Sequence, residues 1–144
     1  MSLFNVFDIA GSALNAQTIR LNTTASNLAN AESVDGDPNK VYRARHPVFQ
    51  AMLANSAMQL ADANEAGAST GVRVLGVVQS TTPPVGRYEP TNPLANKDGY
   101  VYMSNVNPIE EMTNMMSANR SFATNVDAIN TARDLLLKTI QMGH

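Results

Sequence analysis

The chain has 144 residues, a formal net charge of −2, 15% charged residues and no cysteine. That length allows one medium domain, or a small domain with extensions, and the missing cysteine excludes disulfides, thiolate catalysis and Cys-ligated metals. The charge content lies well below the roughly 25% usual in soluble proteins; with no basic or aromatic-interleaved basic run, it argues against nucleic acid as a partner and for a surface not permanently in water.

No Lys or Arg precedes the first apolar residues. Arg20 is the first basic residue, and Gly11, Ser12 and Asn15 interrupt any apolar core, so no cleaved signal peptide is expected. The longest strongly apolar run, Leu135-Leu136-Leu137, falls far short of the ~20 residues that span a bilayer. The expectation is a soluble chain, or one exported without a cleaved signal.

From the N-terminus, residues 5–31 repeat one apolar residue every seven: Phe7, Leu14, Leu21 and Leu28. This narrow seam is the pattern of one strand of a coiled coil, although an ordinary amphipathic helix satisfies the spacing too. Asn5 is a candidate N-cap, with Asp8 at N3 favouring the positive end of the helix dipole. The outer face carries Ser12, Asn15, Gln17, Asn22, Thr23, Ser26 and Asn30, and the only charges are Asp8 and Arg20. Solvated helix faces carry Lys and Glu in i,i+4 pairs. A neutral polar face suits burial against other polar groups, where charges would be costly.

Turn residues at 35–39 should end this helix. Residues 41–49 alternate as a strand, with Pro47 placing it at an edge or ending it. The Ala-rich stretch 51–71 reads as an insertion, a short helix or a loop. Residues 72–79 form the strongest strand signal, β-branched and alternating. A proline-rich extended stretch, 82–93, precedes an Asp98-Gly99 turn and a short strand at 100–103.

Asn107 as N-cap, Pro108 at N1 and Glu110 at N3 then open a second long helix, expected from Pro108 to about Met142 with Gly143 as a stop. Met115, Phe122, Ile129 and Leu136 repeat every seven residues, and Met112, Val126 and Ile140 fall in an accompanying row. The fold class expected is α+β: long N- and C-terminal helices paired as an α-helical coiled coil, with a small β-rich middle. The boundaries read as an N-terminal helix at 1–34, a middle domain at 35–104 and a C-terminal heptad helix at 105–144. So small a middle would leave much of each seam uncovered, which points to self-assembly or a partner.

No catalytic constellation emerges. His46 and His144 have no Cys, Asp or Glu at ligand spacing, Glu110 and Glu111 suit the first turn of a helix, and no base activates a Ser or Thr. Neither an enzyme, a metal, a cofactor nor a small-molecule substrate is expected.

The end of the first helix, Ser26-Asn27-Leu28-Ala29-Asn30-Ala31, followed by a turn and Val41-Tyr42-Arg43-Ala44, resembles the N-terminal signature of the flagellar rod, hook and hook-associated axial proteins. Asn105-Val106-Asn107, Glu111-Met112, Asn114-Met115 and the run from Ser117 through Phe122 to Asn125 resemble the C-terminal partner of that signature. Tyr88-Glu89-Pro90-Thr91-Asn92-Pro93-Leu94-Ala95 with Gly99-Tyr100-Val101 is similar to the proximal rod members of the family. The 35–39 loop is individual to this chain, and the 51–71 segment is longer than a minimal member of the family would carry.

The resemblance implies a structural subunit of the proximal rod of the bacterial flagellar basal body. It would be exported unfolded through the flagellar type III apparatus and assembled helically into a periplasm-spanning drive shaft that transmits motor torque for motility. Its partners would be further copies of itself, neighbouring rod proteins and the export apparatus. It implies no membrane insertion. The terminal helices would lie in the inner wall and the middle domain outside. Alternatives are another rod protein or, from a different class, a soluble coiled-coil adaptor, which would carry charged outer faces.

Overall fold

The computed structural model describes residues 3–53 and 69–142. Along the chain it contains α1 (Leu3–Ala29), β1 (Val34–Asp35), β2 (Arg45–Leu53), β3 (Ser69–Gln79), β4 (Val85–Tyr88), β5 (Tyr100–Met103) and α2 (Pro108–Met142). This is an α+β chain with long terminal helices, which pair; Arg20 of α1 donates to Asn114 Oδ1 of α2 at 3.4 Å. Among the described residues, no helix is long and apolar enough to cross a membrane.

The start of α2 follows its cap. Asn107 Oδ1 accepts the Ile109 N–H at 3.1 Å, which satisfies one of the donors a helix start would otherwise strand, and the Asn107 carbonyl accepts the Glu111 N–H at 3.0 Å as the first bond of the helix. The stop expected at Gly143 lies outside the described residues. At the other terminus the cap assignment fails. Helix α1 already begins at Leu3, so Asn5 is an exposed interior residue. Asn inside a helix costs at most about 0.7 kcal/mol relative to Ala, too little to stop it.

The strand expected at 41–49 is shifted to Arg45–Leu53. Its beginning is displaced because Ala44 is engaged elsewhere: its N–H donates to Asn105 Oδ1 (2.8 Å) and its carbonyl accepts from Ser80 N–H (2.7 Å). Pro47 sits inside β2. Since β2 and β3 form a two-stranded sheet, both are edges, where a missing N–H is tolerated. The 51–71 stretch is not wholly an insertion: residues 51–53 finish β2 and residues 69–71 open β3. The remainder, 54–68, lies outside the described residues.

In the second sheet β5 is central, between β1 and β4. Both neighbours are antiparallel to it, with Val34↔Met103 on one side and Val85↔Met103 through Tyr88↔Tyr100 on the other. The connection from β4 to β5 turns at Gly99, whose φ of 78° lies in the region that favours glycine. Asn96 Oδ1 accepts the N–H groups of Asp98 and Tyr100, and the rings of Tyr88 and Tyr100 meet edge to face with centroids 5.3 Å apart.

The chain divides into two compact units, with the boundary falling inside α1, α2 and near the ends of the β2–β3 pair. Unit 1 comprises Met1–Ile19, Val48–Gly76 and Ala118–His144. Among the described residues its buried apolar side chains are alanines: Ala10 and Ala16 of α1, Ala118 and Ala132 of α2. Ser12 ties α1 to β3, donating to the Ile9 carbonyl (2.8 Å) and accepting the Val72 N–H (3.0 Å). Gly71 makes this possible. A Cβ there would lie 2.3 Å from Ser12 Oγ.

Unit 2 comprises Arg20–Pro47 and Val77–Ser117. Ala31, Ala44 and Val106 cluster at its centre with Tyr42 against them, and Val101 of β5 is 1% exposed. Among the described residues the buried apolar side chains are thus six alanines and three valines, while sixteen large hydrophobic side chains are exposed.

Candidate functional site

The residues of the two terminal signatures converge in unit 2 on one short piece of backbone, Ala44-Arg45. Asn27, 1% exposed, sits in the last turn of α1. Its Nδ2 donates to the Arg45 carbonyl at 2.8 Å, and its Oδ1 accepts the Arg45 N–H at 2.9 Å. The side-chain amide pairs with one residue's N–H and C=O as a neighbouring strand would. The same Oδ1 accepts the Tyr42 hydroxyl at 2.9 Å, and Ser26 Oγ lies 3.3 Å from that hydroxyl.

Asn105 serves the adjacent residue. It accepts the Ala44 N–H through Oδ1, and its Nδ2 donates to the Thr82 carbonyl at 2.8 Å. The Ser80 N–H completes the set on the Ala44 carbonyl. All four backbone polar groups of Ala44 and Arg45 are therefore paired, three of them by two asparagine side chains more than 70 positions apart in the chain. Each buried polar group left unpaired would cost about 1–3 kcal/mol, so this clasp fixes where the chain leaves the helices and enters β2.

The rest of the 26–31 motif closes the helix. Asn30 Nδ2 donates to the Ser26 carbonyl at 2.8 Å, and Ala31 is buried in the central cluster. Leu28 is half-buried and Ala29 exposed. In the 88–95 motif, Arg87 pairs with Glu89, and Asn92 Nδ2 donates to Glu89 Oε2 at 3.0 Å. The Asn92 hydrogen bond foremost, and then Arg87, hold the Glu89 carboxyl below the ordinary glutamate range.

The heptad residues divide by exposure. Phe7, Leu14, Leu21 and Leu28 of α1 are half-buried, as are Met115, Phe122, Val126, Ile129 and Leu136 of α2. Met112 is 54% and Ile140 55% exposed. Full burial on α2 falls on another heptad row, Glu111, Ala118 and Ala132, and on α1 it falls on Ala10, Ala16, Thr23, Thr24 and Asn27. Counting large apolar residues overlooks these positions, because the buried side chains are small or polar. The neutral polar character of 5–31 was the available signal for Thr23, Thr24 and Asn27.

Two family models match the chain: one for flagella basal body rod proteins over residues 7–36, and one for the C-terminal region of flagellar basal body rod FlgEFG proteins over residues 97–142. The first contains Asn27 and the second Asn105. Over 143 residues, 99% of each chain, the sequence is 48% identical to the flagellar basal-body rod protein FlgC of Salmonella typhimurium and 49% identical to that of Escherichia coli O157:H7. It is 46% identical to the FlgC protein of Yersinia enterocolitica over 144 residues, again 99% of each.

Proposed function

We propose, from the premise that this chain belongs to the FlgC family of flagellar basal-body rod proteins, how it works as a structural subunit of the rod. Such a subunit associates with other rod components in the basal body; the proposal concerns what in this chain makes the association and carries force through it.

The observation that carries the reading is the mismatch between interior and surface. The interior is built from alanines and valines, while Ile109 is 77% and Met116 62% exposed, together with Met112 and Ile140 on the same helix. Burying one such side chain is worth about 1.5–3 kcal/mol. In this reading Phe7, Leu14, Leu21 and Leu28 pack with Met115, Phe122, Val126, Ile129 and Leu136 along the subunit's own helix seam. Met112, Ile140 and the other exposed residues of α2 pack on neighbouring copies and neighbouring rod proteins. Head-to-tail contacts that do not close into a ring generate a helical filament, here a shaft spanning the periplasm and transmitting torque. The work is mechanical rather than catalytic. Docking of the helices on assembly is a form of coupled folding and binding, which suits a chain delivered unfolded by the type III export apparatus without a cleaved signal.

The test is complementation of a strain lacking its own copy. Leu21→Asp places a charge at a half-buried seam position, and the expected result is export of the variant with no swimming. Normal swimming would contradict the seam.

A further inference from the structure

Beside the clasp, in unit 2, the chain encloses an open hollow of about 400 Å³. Lys40, Arg43 and Arg45 line it against a single carboxylate, Asp35, with the neutral side chains of Asn39 and Gln79 between them. The carboxylates of this stretch are turned to the backbone: Asp35 Oδ1 accepts the Asp37 N–H at 2.8 Å, and Asp37 Oδ1 accepts the Asn39 N–H at 2.9 Å. None of the three cations has a carboxylate partner among the described residues.

Two of the cations are nevertheless held in place by uncharged contacts. The Arg45 guanidinium stands 5.4 Å over the Tyr42 ring, and Arg43 Nη2 reaches the Pro38 carbonyl at 3.5 Å. Tyr42 is itself fixed by Asn27. Positive charge is thus pre-positioned around a polar hollow in which Asp35 is the one carboxylate against three cations. The volume is at the lower end of the range of ligand sites, but such sites are mostly apolar, and this wall is polar. A guanidinium fork with a carboxylate is the pairing the donors here favour.

We propose that this hollow is a docking site for an acidic peptide segment, an Asp or Glu carried by a neighbouring chain of the assembly; this rests on reading the chain as an assembled subunit. A free anion would fill only a small part of the hollow, whereas a short stretch of backbone bearing a carboxylate fills it. With Lys40 and Arg45 exposed, the site sets register and orientation between chains more than it adds affinity.

The test is an NMR titration of the isotope-labelled full chain with a blocked peptide carrying two glutamates, with its glutamine counterpart and with inorganic phosphate. Saturable shifts are expected at the amides of 33–45 and at the Gln79 side chain with the glutamate peptide alone. The doubly substituted Lys40→Gln, Arg43→Gln chain should bind it about 5-fold more weakly. Asp35→Asn, which retains an acceptor for the Asp37 N–H, should bind it more tightly, and this keeps the test decisive if the double variant folds poorly. Absence of saturable shifts, shifts equal for the glutamine peptide, or an Asp35→Asn chain that binds no tighter would overturn the proposal. So would binding of phosphate without the peptide, which would make this a free-anion site. None of these failures touches the rod role, which the Leu21→Asp swimming assay addresses separately.

Discussion

Replacing Asn27 by Ala removes three hydrogen bonds at once, to Arg45 N–H, to the Arg45 carbonyl and from the Tyr42 hydroxyl. Tyr42 keeps Ser26 Oγ as a partner, and Arg45 is an exposed residue whose backbone gains some hydration. The loss is therefore near 1 kcal/mol per bond rather than the full cost of stranded groups, about 3 kcal/mol in total. Better helix propensity of Ala returns about 0.5 kcal/mol. The net, about 2.5 kcal/mol, reduces the folding equilibrium by roughly 60-fold. The assay is urea denaturation of the purified chain followed by tyrosine fluorescence. The chain has no tryptophan, and its four tyrosines, Tyr42, Tyr88, Tyr100 and Tyr102, all lie in unit 2, so the signal reports the unit that contains the clasp. Asn22→Ala on the exposed face of the same helix shares the propensity gain and should stay within about 0.5 kcal/mol of the parent. Asn27→Asp keeps the acceptor but turns a carboxylate oxygen toward the Arg45 carbonyl, so it should be no better than Ala. An Asn27→Ala chain within about 1 kcal/mol of Asn22→Ala would refute the clasp as the determinant of this junction.

Other expectations follow from the same geometry. Val101→Ala empties the most buried apolar site of the sheet and should cost about 2–3 kcal/mol in the same denaturation assay. Gly99→Ala forces a side chain onto a φ of 78° with its Cβ 2.8 Å from the Tyr88 ring. Since Tyr88 is exposed and can swing, backbone strain dominates and about 1–2 kcal/mol should be lost. Glu89 has its folded-state pKa lowered, first by Asn92 and then by Arg87. Its contribution is present above the ordinary glutamate pKa and disappears as pH falls through the lowered folded value. Thermal unfolding followed over acidic pH should show that loss in the parent and not in Glu89→Gln.

The bounds of α2 were legible because its start is a local device: Asn107 and Pro108 act within three residues of each other. The strand at 72–79 and the turn at Gly99 were legible for the same reason. The end of β2 and the start of β3 were not. Ala51 and its neighbours have weak strand propensity, and pairing of β2 with β3 supplies the hydrogen bonds that local preference does not. The heptads direct attention to large apolar residues, whereas burial among the described residues went to Ala10, Ala16, Ala118 and Ala132, side chains too small to register in an apolar repeat. Asn27 illustrates the limit most sharply. Its motif was recognisable, yet its task, pairing with Arg45 eighteen residues away, is a tertiary property with no local signal. The same holds for Asn105 and Ala44, and for the cations around the polar hollow, which the sequence scatters among turn residues.

If neighbouring subunits complete the apolar surface of the long helices, electron cryomicroscopy of basal bodies assembled with this chain should find α1 and α2 within the rod wall, with Ile109, Met112, Met116 and Ile140 covered by adjacent chains. A rod in which those four side chains still face solvent would contradict it.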